Sequence, residues 1–173
     1  MNAIVIYKSK CGFVKRYAKW IAKELSVDIS ECSKISIKDI ETYDTVIFGG
    51  AMYAFGIDGV KFITKNLNHL KDKKIIVFAT GVTPKKDKDI YAIKQKNFNN
   101  KEQNNIEFFY LRGGFDYNKL NKVDKLLMTL LKFKLKHKSK LSFDEKGMLM
   151  AYDSAKDFTK KEDIDELISY AKL

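Results

Sequence analysis

The sequence predicts an α/β protein in which a five-stranded parallel sheet, with strand order 2-1-3-4-5, lies between two layers of helices. Two observations predict this three-layer sandwich. Short runs of β-branched and other apolar residues alternate along the chain with longer stretches whose apolar residues recur at helical spacing. Each short run is continuous in its apolar character, which is typical of parallel strands that are buried on both faces.

The individual elements follow from composition and spacing. Residues 3–7 are Ala-Ile-Val-Ile-Tyr, and residues 45–48 are Thr-Val-Ile-Phe, a strand that Gly49 and Gly50 are expected to end. The predicted strands are residues 3–7, 27–32, 45–48, 74–80 and 106–111. The apolar periodicity predicts helices over residues 12–25, 60–70, 87–97, 118–138 and 164–173. In such sheets ligands bind beyond the carboxyl ends of the strands, so the loops after the first, third and fourth strands form the predicted site.

The chain has 173 residues, a size that suits one domain with a buried core. No change in composition marks a second domain, so we expect a single domain over residues 1–173, with residues 113–150 as an elaboration of it. Two cysteines provide neither a disulfide scaffold nor a paired zinc-ligand motif. No apolar run reaches the roughly 18 residues that span a bilayer, and we see no signal peptide. We therefore expect a cytoplasmic protein.

The charge balance is unusual, because 33 Lys and Arg residues outnumber 22 Asp and Glu residues and give a net charge of +11. Such an excess indicates an anionic partner. A phosphate-bearing cofactor, a membrane surface, an acidic protein and a nucleic acid all meet that description. Since no nucleic-acid-binding motif accompanies the charge, the sequence argues against a nucleic acid.

The loop after the first strand carries the clearest functional signal. A strand that ends in Tyr7 is followed by a hydroxyl residue, a glycine and a helix. The N–H groups and the dipole at a helix N-terminus favour a phosphate, and Gly12 lets the backbone turn closely around it. This pattern resembles the FMN-phosphate signature of flavodoxins, which implies a flavodoxin-like fold with FMN as its cofactor. The residues of this loop that we expect to contact FMN are Ser9, Lys10, Cys11, Gly12, Phe13 and Val14.

Two residues of this loop depart from that signature. Val14 stands where the family usually has a threonine, and a hydroxyl lost from a charged partner costs about 1.5–3 kcal/mol. We expect Ser9, the backbone N–H groups and nearby basic side chains to offset part of this cost. Cys11 is expected to replace a hydroxyl residue, although a thiol beside a helix N-terminus is also a candidate reactive group. The alternative for the whole loop is a plain connection in a protein without a cofactor.

Two further loops are expected to enclose the isoalloxazine ring of the cofactor. Flavodoxins wrap the ring with the loop after the third strand, where Tyr53 offers an aromatic face for stacking. The loop after the fourth strand would flank the ring from the other side. The predicted contacts are Ala51, Met52, Tyr53, Ala54 and Gly56 in the first of these loops, and Thr80, Gly81 and Val82 in the second. The alternative is that Tyr53 is an ordinary, half-buried loop aromatic.

The residues after the last strand, from Arg112 to Tyr117, are Arg-Gly-Gly-Phe-Asp-Tyr. This run and the long basic segment after it resemble the menaquinone-dependent protoporphyrinogen dehydrogenase family. The resemblance covers most of the chain and implies FMN-mediated oxidation of a reduced substrate, with a quinone as the acceptor. Two alternatives remain open: a flavodoxin that transfers electrons between protein partners, and a flavodoxin-like binding module that has lost FMN.

The segment over residues 118–140 interleaves eight lysines with leucines and other apolar residues. A basic amphipathic helix of this kind can lie on an anionic membrane surface, which here would be the inner face, where a quinone is reached. The alternative is that its apolar stripe packs over the domain and its lysines form a solvated face.

Overall fold

A parallel sheet forms the centre of the computed structural model, which describes residues 1–53, 55–140, 149, 152 and 154–173. Five parallel strands lie in the order β2-β1-β3-β5-β6, and the short β4 runs antiparallel to the end of β3. The strands are β1 (Ala3–Lys8), β2 (Asp28–Glu31), β3 (Thr45–Tyr53), β4 (Gly56–Ile57), β5 (Lys74–Gly81), β6 (Ile106–Arg112), β7 (Gly114–Phe115) and β8 (Lys156–Asp157). The five parallel strands, counted in chain order, have the predicted order 2-1-3-4-5, so the predicted fold class is confirmed.

Helices follow the strands and cover the sheet. They are α1 (Phe13–Leu25), α2 (Lys61–Thr64), α3 (Asp87–Asn97), α4 (Asn100–Gln103), α5 (Lys122–Lys136) and α6 (Asp165–Lys172). α1 ends at Leu25, and its C-cap Ser26 has a left-handed backbone whose N–H donates back to the carbonyl of Lys23. Over the described residues, no helix has both the length and the apolar character needed to cross a membrane.

The core consists of two apolar layers, one on each face of the sheet. Successive side chains of a strand point to opposite faces, so Ile4 and Ile6 belong to one layer while Val5 belongs to the other. The first layer also contains Phe48, Ile63, Val77 and Ile93, and the second contains Tyr17, Ile21, Phe78 and Leu167. Because both faces are covered, burial of these side chains stabilises the parallel sheet by about 1.5–3 kcal/mol for each large apolar residue.

The predicted end of the third strand is wrong, because β3 continues through Gly49 and Gly50 to Tyr53. The two glycines are required by packing. A Cβ at Gly49 would overlap the ring of Phe78 on the neighbouring strand, and one at Gly50 would lie 2.5 Å from the carbonyl oxygen of Asp58. Small residues here therefore allow β3 to lie close to its neighbours rather than ending the strand.

The predicted helix over residues 60–70 is also wrong as a single element. It divides into α2 and a 3-10 turn over Leu67–His69. Between them the backbone of Asn66 leaves helical geometry, and its side-chain amide donates to the carbonyl of Phe62 at 2.8 Å. Such local side-chain bonds compete with a continuous helix. The apolar periodicity still identified the inward side chains, since Ile63 and Leu70 are fully buried.

The elaboration after the sheet begins with β7, which pairs antiparallel with β8. The predicted helix over residues 118–138 starts later than expected, because a 3-10 turn covers Tyr117–Lys119 and α5 begins at Lys122. Asn121 caps α5 by accepting a hydrogen bond from the N–H of Asp124 at 2.8 Å. The segment therefore forms a capped helix of 15 residues.

One tyrosine joins three parts of the chain. The Tyr17 side chain is fully buried, and its hydroxyl lies 2.7 Å from both the Arg112 carbonyl and a carboxylate oxygen of Asp163. The same hydroxyl accepts a hydrogen bond from the N–H of Lys160 at 3.2 Å. Burial is the main cause that raises the pKa of Tyr17, so this hydroxyl stays protonated. It therefore links α1 to the end of β6 and to the segment before α6.

We predict that Tyr17→Phe lowers the free energy of unfolding by about 1–3 kcal/mol, because it leaves buried partners of the hydroxyl unsatisfied. Urea denaturation followed by circular dichroism measures the change. Tyr91→Phe is the matched control, since Tyr91 is 66% exposed and its substitution should alter the free energy by at most about 0.5 kcal/mol. Equal effects of the two substitutions would contradict the structural role of the Tyr17 hydroxyl.

Candidate functional site

A cavity of about 360 Å³ lies at the carboxyl edge of the sheet, beyond β1, β3 and β5. Its volume is within the range of cofactor pockets. Eleven of the predicted site residues line it: Ser9, Lys10, Cys11, Phe13, Val14, Ala51, Met52, Tyr53, Thr80, Gly81 and Val82. Gly12 and Gly56 are not among the lining residues, and Ala54 lies outside the described residues. The three predicted loops therefore meet around one cavity.

The loop between β1 and α1 forms a tight turn at the N-terminus of the helix. Gly12 has a φ of 91°, in the left-handed region that favours glycine, and its N–H donates to the Ser9 hydroxyl at 3.2 Å. Its carbonyl accepts the first helical hydrogen bond, from the N–H of Arg16 at 3.0 Å. The first turn of a helix has no intrahelical partners for its N–H groups. Because that turn contains no acidic residue, the loop suits an anion.

Val14 occupies the position where a hydroxyl was expected, and its side chain is 1% exposed. It belongs to the apolar layer that also contains Tyr17 and Ile21. The position is therefore used for packing α1 against the sheet while still bordering the cavity. Any phosphate at this loop would depend on backbone N–H groups and on Ser9 rather than on a hydroxyl from position 14.

The thiol of Cys11 forms a hydrogen bond with the segment that follows β7. Its Sγ donates to the carbonyl oxygen of Asp116 at 3.6 Å, and burial raises its pKa. Burial also raises the pKa of the Cys32 thiol, and both cysteines are free. Cys11 thus connects the loop to the residues after β7, and its environment does not favour a reactive thiolate.

Tyr53, at the end of β3, lies at the mouth of the cavity with 38% of its surface exposed. Burial of its hydroxyl end raises its pKa, so the ring is neutral. The ammonium of Lys10 lies 5.0 Å from the ring centroid, which is within the distance of a cation–π contact. An exposed aromatic face beside the cavity can stack on a planar ligand.

The opposite wall is formed by the end of β5. A Cβ at Gly81 would lie 2.5 Å from the Tyr110 hydroxyl and 2.7 Å from the terminal methyl of Met52. The Tyr110 hydroxyl and the Met52 methyl therefore fill the space that a side chain at position 81 would need. Thr80 is buried, and Val82 borders the cavity beyond it.

Four lining residues were missed by the sequence analysis: Gly114, Phe115, Met128 and Leu131. They come from β7 and α5, so the elaboration closes one side of the cavity. The spacing of Met128 and Leu131 at i and i+3 placed them on one helix face. Since α5 is apolar on more than one side, the sequence did not reveal which face turns inward.

An ion pair holds α5 to the loop at the cavity. The Lys10 ammonium lies 2.7 Å from a carboxylate oxygen of Asp124, and both side chains are largely buried. A second contact involves Thr129 of α5, whose hydroxyl lies 2.8 Å from the hydroxyl of Tyr117 in the segment before the helix. These contacts fix the position of α5 relative to the sheet.

The run from Arg112 to Tyr117 is used largely for internal contacts. Arg112 donates to the carbonyl of Val82 at 3.2 Å and lies 3.9 Å from the ring centroid of Phe158. The carboxylate of Asp116 accepts a hydrogen bond from the N–H of Asn118 at 3.0 Å. These polar groups fasten the elaboration to the sheet, while the neighbouring Gly114 and Phe115 contact the cavity.

Comparison with known proteins relates this chain to a protein family. The family model described as a flavodoxin domain matches residues 4–142. A relative from Methanocaldococcus jannaschii, an uncharacterized protein, is 38% identical over 87 residues, which are 49% of this chain and 57% of the relative. The chain thus spans less than two thirds of that relative's length.

Solved structures with similar folds include two-electron reduced flavodoxin from Megasphaera elsdenii, with 18% identity and a TM-score of 0.49 over 62% of this chain and 82% of that one. The Trp repressor binding protein from Bacillus subtilis has 19% identity and a TM-score of 0.47 over 64% and 83% of the two chains.

We predict that Cys11 and Cys32 react with iodoacetamide more slowly at pH 7 in the native protein than in guanidinium. Because burial raises both pKa values, the thiolate fraction is smaller in the folded state, and the native rate should rise at higher pH than the unfolded rate. Mass spectrometry of timed samples measures each site separately, and the unfolded chain serves as the control. A native Cys11 that reacts faster than the unfolded one would contradict this prediction.

Proposed function

This chain belongs to the flavodoxin domain family, and we propose that it binds FMN in the cavity at the carboxyl edge of the sheet and catalyses a flavin-dependent redox reaction. The observation that carries the proposal is the meeting of three loops, after β1, β3 and β5, around one cavity of cofactor size. The residues present fit the two ends of FMN, one an anion and the other a planar ring.

The phosphate would be held at the loop after β1. The left-handed turn at Gly12 directs the chain into α1, and the N–H groups of the first helical turn are available for an anion. Ser9 contributes a hydroxyl, whereas the charge of the Lys10 ammonium is balanced by its ion pair with Asp124. Without a hydroxyl at Val14, we expect moderate affinity for the phosphate.

The isoalloxazine ring would lie between Tyr53 and the end of β5. Tyr53 provides the aromatic face, and Ala51 and Gly81 border the same cavity without large side chains of their own. When bound, FMN supplies the hydride or electron transfer itself. The protein orients the ring and, through Phe115, Met128 and Leu131, limits the access of water to it.

The apolar wall formed by α5 favours an enzyme over a simple carrier. A flavodoxin that passes electrons between protein partners needs an exposed ring edge, whereas Met128 and Leu131 border this cavity on one side. Oxidation of a small organic substrate with a quinone as acceptor suits such a wall, as the resemblance around Arg112 implies. A quinone resides in lipid, so residues 118–140 would then bring the protein to the inner face of a membrane.

A cofactor-free binding module is the second candidate. Two observations favour it: the Val14 side chain is used for core packing, and the Cys11 thiol donates to the carbonyl of Asp116. A preparation that is colourless and takes up no added FMN would support this candidate and overturn the first.

We predict that Ser9→Ala weakens binding of FMN about ten-fold or more and leaves riboflavin binding unchanged, because only FMN carries the phosphate. Quenching of flavin fluorescence on titration with protein measures both affinities. Tyr53→Ala should weaken both ligands, since stacking involves the ring that they share. Ser30→Ala, in β2, is the matched control for the lost hydroxyl. If Ser9→Ala weakens FMN and riboflavin equally, the phosphate does not lie at this loop.

We also predict that the FMN-loaded, photoreduced protein is reoxidised by a water-soluble quinone at least ten-fold faster than by an acidic haem protein. A small planar acceptor can enter beside Met128 and Leu131, while a protein must react across that wall. Anaerobic stopped-flow absorbance measures both rates. Faster reoxidation by the haem protein would favour the electron-carrier alternative.

A further inference from the structure

The outward face of α5 is a continuous apolar surface. Five of its side chains are more than half exposed, and they recur at the spacing of one helix face. These side chains, which we call the α5 stripe, are Val123, Leu126, Leu127, Leu130 and Phe133. Among the described residues they make up five of the eleven large apolar side chains that are exposed. Single exposed apolar residues are common in soluble proteins, but a contiguous stripe marks an interaction surface.

The α5 stripe cannot turn inward while the observed contacts hold. The opposite side of the helix supplies Met128 and Leu131 to the cavity, and Leu135 is buried. The Lys10–Asp124 ion pair and the Asn121 cap hold the first turn. The stripe therefore faces away from the sheet in a fixed orientation.

Positive charge surrounds this apolar surface. Residues 118–140 contain eight lysines and a single acidic residue, Asp124. Lys122, Lys134 and Lys136 are exposed on the helix that carries the stripe. A partner of the stripe must therefore accept both apolar side chains and a local excess of positive charge.

These requirements separate the candidate partners. A second copy of the chain, packed stripe to stripe about a twofold axis, would bring lysines against lysines. A nucleic acid would match the charge and leave the leucines in water. An anionic bilayer satisfies both, because the apolar side chains enter the boundary of the acyl chains while the lysines meet the headgroups.

We propose that the α5 stripe docks on an anionic lipid bilayer, with the helix axis parallel to the surface. The helix is about 22 Å long. Because the five side chains of the stripe lie on one face of it, they would contact the membrane together. The lysine side chains reach the headgroup level with their ammonium groups while their methylene stems lie along the apolar boundary. The same contact would place α5 between the membrane and the cavity, which Met128 and Leu131 border from the inner side of the helix.

This contact would bring the proposed redox site to a membrane, so its biological role rests on the proposed function. The surface itself needs no FMN to bind lipid. A vesicle experiment without flavin and a flavin titration without vesicles therefore fail independently.

Sedimentation with vesicles tests the proposal. We expect the full chain to bind vesicles of phosphatidylcholine and phosphatidylglycerol, and to bind vesicles of phosphatidylcholine alone at least ten-fold more weakly. Leu126→Gln combined with Leu130→Gln should weaken binding to the anionic vesicles more than ten-fold. Tyr91→Gln, which removes an exposed apolar side chain on α3, is the matched control and should leave binding unchanged. Because all three side chains are exposed, the variants should fold, which circular dichroism verifies.

The contribution of charge is tested by a second pair of variants. Each lysine near an anionic surface strengthens binding about five-fold. Lys134→Glu combined with Lys136→Glu should therefore weaken binding at least 25-fold by the same constant. The control, Lys61→Glu combined with Lys65→Glu, makes the same change in net charge on exposed lysines at α2 and its C-cap. We expect the control to retain most of the binding.

Insertion is measured directly with Phe133→Trp. Its emission should shift to shorter wavelength with anionic vesicles and be quenched by brominated acyl chains, whereas Tyr91→Trp should show neither effect. Absence of binding to anionic vesicles, or equal losses in the variants and their controls, would overturn the proposal. A concentration-dependent dimer that the Leu126 and Leu130 substitutions abolish, without vesicle binding, would overturn it in favour of a second copy of the chain.

Discussion

The constraint on which the rest of the structure depends is the burial of both faces of the parallel sheet. A parallel sheet is stable when helices cover both sides, and each connection must then return the chain to the same edge. The carboxyl ends of β1, β3 and β5 consequently meet at one place. The loops that follow them contribute residues far apart in sequence to a single cavity, and that convergence needs no specific contact between the loops themselves.

The central sheet and most of the cavity were predictable from the sequence because their signals are local. Continuous apolar runs identify buried parallel strands, and a glycine before an amphipathic helix identifies the turn at Gly12. The strand order located the three loops, and the resemblance to flavodoxins indicated which of their residues to expect at the site. The extent of β3 was not predictable, because Gly49 and Gly50 are typical of turns as well as of close packing between strands. Only the position of Phe78 on the neighbouring strand distinguishes these uses.

The contribution of α5 to the cavity was hidden for a different reason. Its sequence has apolar residues on two sides, and periodicity identifies a face without saying what that face contacts. Met128 and Leu131 are directed inward by contacts distant in sequence, among them the ion pair between Lys10 and Asp124. Nothing in the residue types separates the outward leucines from the inward ones. The contacts that fix the rotation of α5 decide which of them face the cavity. The expectation that the segment packs over the domain describes one side of this helix, and the other side keeps an exposed apolar surface.

The contact between Gly49 and Phe78 has an evolutionary consequence. Because the aromatic ring occupies the space that any side chain at position 49 would need, the two positions form a compensating pair. A larger residue at 49 is acceptable only in a chain that has already exchanged Phe78 for something smaller, and the reverse order leaves a void in the core. In either order, the first of the two substitutions destabilises the folded protein. The spacing between β3 and β5, which both border the cavity, therefore depends on this pair of residues.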